Sequence, residues 1–225
     1  MNNKNYYNGE FLPGNPEDFT GLTKELNSLN YRTKEFDQID WGDSVVIFGC
    51  SNVFGSGLTE EETISNQLSM RLNRPVINMG VPGSSIIYSL FNQIVLAETY
   101  PKPYAVINLW TVINRLSYFY ENGPCHVGPW TAQQPSKNIF GRSIKTVFEA
   151  WNISDVNPVL YSNFLQRMAE IIWKDTKHFQ GTFFLNTRDA LNVELFRYMD
   201  YAQDNLHPGP ATATAVAKQL ALWCR

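Results

Sequence analysis

A chain of 225 residues with 44% hydrophobic content is long enough to bury a full core, which argues for one folded domain and against disorder. A net charge of -3 with no basic block or stripe lacks the electrostatic footprint of a nucleic-acid binder. Cys50, Cys125 and Cys224 are odd in number and widely spaced, so neither a disulfide framework nor a zinc ribbon is expected. The amino terminus lacks the apolar core of a signal peptide, and no apolar run is long enough to span a bilayer. A cytoplasmic or otherwise non-secreted protein is the expectation, with reduced thiols and no nucleic-acid partner. Its oligomeric state is left open.

Residues 1–40 are polar and broken by Pro13, Gly14 and Pro16, which predicts a peripheral amino-terminal arm with one short helix around Asp18–Leu29. Residues 41–225 then read as a single domain. It opens with a strand at Ser44–Phe48, a helix over Glu60–Leu72 with Thr59 and Glu62 at capping-box spacing, and a strand at Val76–Asn78. A helix at Ser85–Glu98 and a strand at Tyr104–Trp110 follow, the latter apolar enough for burial on both faces of a parallel sheet. The Pro-, Gly- and aromatic-rich stretch 117–158 breaks the rhythm and is expected to be an insertion or lid. Its aromatics, from Tyr118 to Trp151, suit a substrate groove and ordinary core equally. A helix at Val159–His178, a strand at Thr182–Asn186 and a helix at Ala211–Trp223 complete a doubly wound α/β pattern.

Ligands of such sheets gather at the carboxyl ends of the strands. That rule draws together Gly49–Gly57, Asn78–Ser85, Trp110–Arg115 and the segment Asp204-Asn205-Leu206-His207-Pro208. Asp204 three residues before His207 is suited to orienting a general base, and Ser51, just past the first strand, is a hydroxyl such a base could activate. The glycine-rich turn Asn78-Met79-Gly80-Val81-Pro82-Gly83 offers backbone N–H groups to a developing oxyanion.

In these blocks the chain resembles the SGNH, or GDSL, hydrolase family. Gly49-Cys50-Ser51-Asn52 with Phe54-Gly55 is similar to its first block, Asn78–Gly83 to its second and Asp204–Pro208 to its last, in the expected order over roughly residues 44–224. The resemblance implies a three-layer α/β/α sandwich with a mainly parallel, flavodoxin-like sheet. It implies a serine esterase acting without metal or cofactor on a small-molecule or glycan ester, O-acetyl or short acyl groups on a carbohydrate included. It makes Ser51 the nucleophile, His207 the base, Asp204 the orienting acid, and the Ser51 and Gly83 amides oxyanion donors.

Two positions depart from the family pattern. Cys50 stands where an Asp is usual, and the third block, Gly-x-Asn-Asp, is absent from Asn108-Leu109-Trp110-Thr111-Val112-Ile113-Asn114-Arg115. The strict positional match falls on Val112, which has no donor; Asn114, two residues on, is the candidate third oxyanion donor, and Thr111 is another. An acyltransferase using the same site, and a non-catalytic binding protein retaining the fold, are the rival readings.

Several other signals compete. The literal Gly42-Asp43-Ser44 precedes its strand and reads as a turn, because a nucleophile should follow a strand. Asp200 is a rival partner for His207. Cys50 could serve as a thiol nucleophile, although alternation along the strand would point it away from Ser51. His126 and His178 lack partners at metal-ligand spacing and are expected at the surface. Gly55-Ser56-Gly57 lacks the Lys of a phosphate-binding loop, and Asn152-Ile153-Ser154 matches a glycosylation acceptor that a non-exported chain would not use. An α/β-hydrolase would carry Gly-x-Ser-x-Gly between later strands, a pattern that Gly49–Val53 does not follow.

Overall fold

The computed structural model describes residues 9–15, 25–120, 123–130 and 139–225. After a 3-10 turn at Phe36–Gln38 the elements run β1 (Val45–Gly49), α1 (Ser51–Phe54), α2 (Ile64–Leu72), β2 (Val76–Gly80), α3 (Ile86–Thr99) and β3 (Ala105–Trp110). Next come β4 (Leu116–Tyr120), β5 (Gly123–Val127), α4 (Ile139–Trp151), α5 (Val156–Ile172), β6 (Lys177–Thr182), α6 (Leu185–Leu191), β7 (Glu194–Leu195) and α7 (Pro210–Cys224).

Five strands form one parallel sheet in the order β2-β1-β3-β6-β7, the flavodoxin-like order of a doubly wound fold. β1 and β3 are buried at every position, because both faces of the sheet are covered. On one face Val45, Ile47, Ala105 and Ile107 pack with Leu68 of α2 and Val216, Ala217 and Leu220 of α7. On the other, Val46, Phe48 and Val106 pack with Tyr88, Val95 and Leu96 of α3 and with Trp173. Burying each such aliphatic side chain contributes about 1.5–3 kcal/mol, so the strand ends are held firmly where the loops leave them. Phe11, Tyr31 and Trp41 join the second cluster, so described residues of the amino-terminal segment are part of the core.

The chain reverses direction across the sheet at β1 and β3. β2 lies on one side of β1 and β3 on the other, with Gly49 in register with both Gly80 and Leu109. The crevice between the carboxyl ends of β1 and β3 is therefore the switch point at which such folds place ligands.

Some expected elements move. The helix expected from Glu60 begins at Ile64, with the Thr63 hydroxyl accepting the Asn66 amide at 3.2 Å. Glu62 does reach back to the Thr59 amide at 2.9 Å, but within a turn before the helix. The strand expected at Thr182–Asn186 lies at Lys177–Thr182, and Leu185 opens α6. Its polar residues mislead because they face partners: Gln180 accepts from Trp110 Nε1 at 2.9 Å, and His178 lies 2.8 Å from Asn108 Nδ2. Correspondingly, α5 ends at Ile172, short of the expected His178. Within 117–158, β4 and β5 form a separate antiparallel hairpin and α4 precedes α5. Most of the helix expected at Asp18–Leu29 lies outside the described residues; its last residues run into a turn.

Candidate active site

β1 ends on Gly49 and the chain turns at once into α1, making Cys50 the residue before the helix and Ser51 its first residue. A single helical turn has no stability of its own, so α1 depends on what grips it. Asn78 Nδ2 donates to Val53 O at 2.9 Å. The buried Arg32 donates to Phe54 O, Gly55 O and Leu58 O at 3.2, 2.9 and 3.0 Å and pairs with Glu60 at 2.7 Å. Gly80 must be glycine, because any Cβ there would collide with the α1 backbone at Phe54. Ser51 is 7% exposed, and its hydroxyl donates to Cys50 Sγ at 3.9 Å. The two side chains thus meet instead of alternating, since the strand has already ended at Gly49.

The Asp204–His207 turn brings its two residues together. Asp204 Oδ1 accepts the amides of Leu206 and His207 at 2.9 and 3.0 Å, and Oδ2 lies 2.5 Å from His207 Nδ1. Burial pushes the Asp204 carboxyl up, but the two amides and the imidazole outweigh it and hold it below the ordinary range. A carboxylate against Nδ1 assigns the proton there and leaves Nε2 as the working nitrogen. Asp200 is engaged elsewhere, accepting the Ala211 and Thr212 amides at the start of α7. The turn seats on the loop that follows α1. Gln203 N donates to Gly57 O at 3.3 Å, and a Cβ on Gly57, where φ is +77°, would stand 2.8 Å from Ala202 Cβ and 3.2 Å from Asp204 Cγ. No hydrogen bond joins Ser51 to His207 among the described residues.

After β2, Gly80 N donates to Asn78 Oδ1 at 3.0 Å and Val81 N to Gly49 O at 3.0 Å, locking this turn to the end of β1. Gly83 has φ +77°, and among the described residues its N–H takes no backbone acceptor. His126 of the β4–β5 hairpin lies over it, 3.5 Å from where a Gly83 Cβ would be. His126 Nδ1 is 2.9 Å from Ser117 Oγ, which is 2.7 Å from Ser85 Oγ. Burial, with help from the Arg115 charge, lowers the His126 pKa to about 4. Burial likewise lowers His178 to about 4, against opposition from Glu170. Both expected surface histidines are thus half-buried rings held neutral.

The loop after β3 is different in kind. Thr111 Oγ1, Asn114 Oδ1, and Arg115 Nε and Nη1 are buried without a hydrogen-bond partner among the described residues. The Arg115 guanidinium lies 4.9 Å from the Trp130 ring centroid. Its field reaches across the crevice. Burial pushes the Cys50 thiol up, yet the Arg115 charge and the neighbouring polar groups, the Ser51 hydroxyl and the Asn52 amide among them, hold it below its ordinary value. Asn52 Nδ2 in turn donates to Tyr198 OH at 3.1 Å.

The decoy Ser44 is fully buried at the start of β1, donating to Asp40 O at 2.6 Å. A cavity of about 1150 Å³ opens there beside Ser44, Arg74 and Val76, at the amino ends of the strands. The chemistry-bearing residues converge at the other end. Reading the sequence missed Arg32, Arg115 and Tyr198; Arg115, directly after the sought Asn114, was the one with a local signal. Among the described residues no cluster suited to a metal ion occurs, and no helix is long and apolar enough to cross a membrane.

No protein-family model and no curated protein matches the chain. Among solved structures, 26 chains do. They include G-D-S-L lipolytic proteins and SGNH esterases. A member of the lipolytic protein G-D-S-L family from Veillonella parvula DSM 2008 is similar at 10% identity and TM-score 0.46, over 78% of this chain and 94% of that one. The acetyl xylan esterase Est2A from the rumen bacterium Butyrivibrio proteoclasticus is similar at 11% identity and TM-score 0.48, over 82% and 64%. AlinE4, an SGNH-hydrolase family esterase, is similar at 19% identity and TM-score 0.33, over 80% and 97%. At such identities the role of each residue rests on this chain's own geometry.

Proposed function

We infer that the chain is a carboxylic ester hydrolase of the SGNH type, acting through Ser51, His207 and Asp204 on an ester of a small acid, with O-acetyl carbohydrates as one such class. The observation that carries this reading is the Asp204–His207 contact of 2.5 Å on a turn seated against the loop that follows Ser51. A thiol is a weak acceptor, so the Ser51 hydroxyl leaves Cys50 Sγ at little cost and turns to His207 Nε2. As Ser51 Oγ attacks the ester carbonyl, Nε2 takes its proton, while Nδ1–H stays with Asp204 and stabilises the imidazolium. The oxyanion is received by the Ser51 and Gly83 amides, with the Asn114 side chain as third donor. The imidazolium then protonates the departing alkoxide, leaving an acyl group on Ser51. Water, deprotonated by the same nitrogen, attacks that acyl group and releases the acid.

Ser51→Ala tests the reading. Hydrolysis of para-nitrophenyl acetate should fall by at least about 1000-fold; unchanged turnover would overturn it.

A further inference from the structure

Arg115 is the charged group that the triad chemistry leaves unexplained. It lies in the loop that leaves the carboxyl end of β3, near enough to the crevice for its charge to act on Cys50, His126 and Tyr198. Its Nε and Nη1 carry three of the five N–H bonds of the guanidinium, and both nitrogens are buried without an acceptor among the described residues. No carboxylate pairs with it among the described residues; Asp204, on the facing turn, is engaged with His207. Arg115 is half-buried, but each N–H hidden from water without an acceptor carries a cost, so a guanidinium kept this way suits an acceptor that arrives with a ligand. Trp130 covers one face of the guanidinium, which leaves its plane as the route to the N–H groups.

We propose that Arg115 determines specificity by pairing with a carboxylate carried by the ester substrate. This rests on the esterase reading and deepens it: the substrate is an anionic ester, held with its charge on the β3 side of the crevice and its carbonyl at Ser51. A carboxylate suits the site better than a phosphate monoester. His126, the other basic group beside Arg115, is a half-buried ring held neutral, so the two together offer one positive charge, whereas such a phosphate carries close to two negative charges. Asn114 Oδ1 and Thr111 Oγ1, without hydrogen-bond partners among the described residues, lie on the same loop and suit hydroxyl groups next to the carboxylate.

The carboxylate could sit on the acyl or the alcohol side, and two substrate pairs separate these. Para-nitrophenyl hemisuccinate is compared with para-nitrophenyl butyrate, and para-acetoxybenzoate with its methyl ester. In one pair the wild-type protein should prefer the charged ester by about 10-fold or more in kcat/KM. Arg115→Gln should lower that preference by about 30-fold, and Arg115→Lys should restore part of it. A wild-type preference for the neutral ester in both pairs would overturn the proposal, and this arm needs no variant to fold. Equal losses on charged and neutral esters would also overturn it, by moving Arg115 to the oxyanion or to folding.

If no ester is hydrolysed in a Ser51-dependent way, the esterase reading falls separately. Calorimetric titration with succinate monomethyl ester then decides the anion site alone: binding about 10-fold or more weaker in Arg115→Gln supports it, and no binding to the wild type overturns it.

Discussion

The two rims of the crevice are built on opposite principles. On the rim formed by α1 and the Asp204–His207 turn, the polar groups serve one another: Asp204 takes two amides and an imidazole, Asn78 ties β2 to α1, and Arg32 bonds carbonyls at the end of α1 and in the loop after it. On the rim after β3, Thr111, Asn114 and Arg115 keep buried side-chain donors and acceptors without hydrogen-bond partners among the described residues. The first rim is complete without substrate, as a general base must be if its tautomer and aim are to be fixed beforehand. The second is complete only when something binds, because each orphaned group is a cost the folded chain carries until a ligand relieves it.

The contrast predicts that substitutions on the two rims trade activity against stability in opposite ways. The largest effect belongs to Asp204→Asn, which should lower kcat by about 1000- to 10000-fold by disturbing the imidazole tautomer. It should also lower the urea midpoint, since the loops it joins lose their anchor; steady-state kinetics and a denaturation curve check both. Asn114→Ala should lower kcat by about 100-fold, with the stability unchanged or raised, because an unpartnered buried acceptor is removed. A clear loss of stability in Asn114→Ala would erase the distinction between the rims.

Away from the reacting atoms, Arg32→Met removes the guanidinium that bonds Phe54 O, Gly55 O and Leu58 O and should cost about 3 kcal/mol in urea unfolding. A smaller effect comes from His126 and His178. Both rings stay neutral in the folded chain down to about pH 4, and take up a proton near the ordinary value of 6.5 once unfolded. Between those values the unfolded state binds more protons, so stability falls as the pH drops through that window, by on the order of 2–3 kcal/mol for each ring. His178→Gln should flatten the dependence by its share, measured as urea midpoints between pH 7 and pH 4.5.

The same contrast explains what the sequence disclosed. The self-satisfied rim is local: Asp204 and His207 lie three residues apart, and Ser51 follows an unbroken apolar strand, so motif and placement coincide. β1, β3 and α7 were legible for a similar reason, as their apolar runs reflect burial on a covered sheet. β6 was not, because His178 and Gln180 meet partners some 70 residues away in Asn108 and Trp110, and their polarity hid a strand. Arg32 was passed over because its targets around α1 are tertiary. The β3 rim was the hardest to read, since unpaired polarity has no sequence pattern and appears only when every neighbour has a position.

The central claim is a serine made nucleophilic by an imidazole already aimed by its carboxylate. A fluorophosphonate probe with mass mapping tests it most directly. The account predicts one adduct, on the peptide containing Ser51, absent in Ser51→Ala and slowed at least about 100-fold in His207→Ala. Failure of the folded wild-type protein to label, or labelling that persists unchanged in His207→Ala, would contradict it.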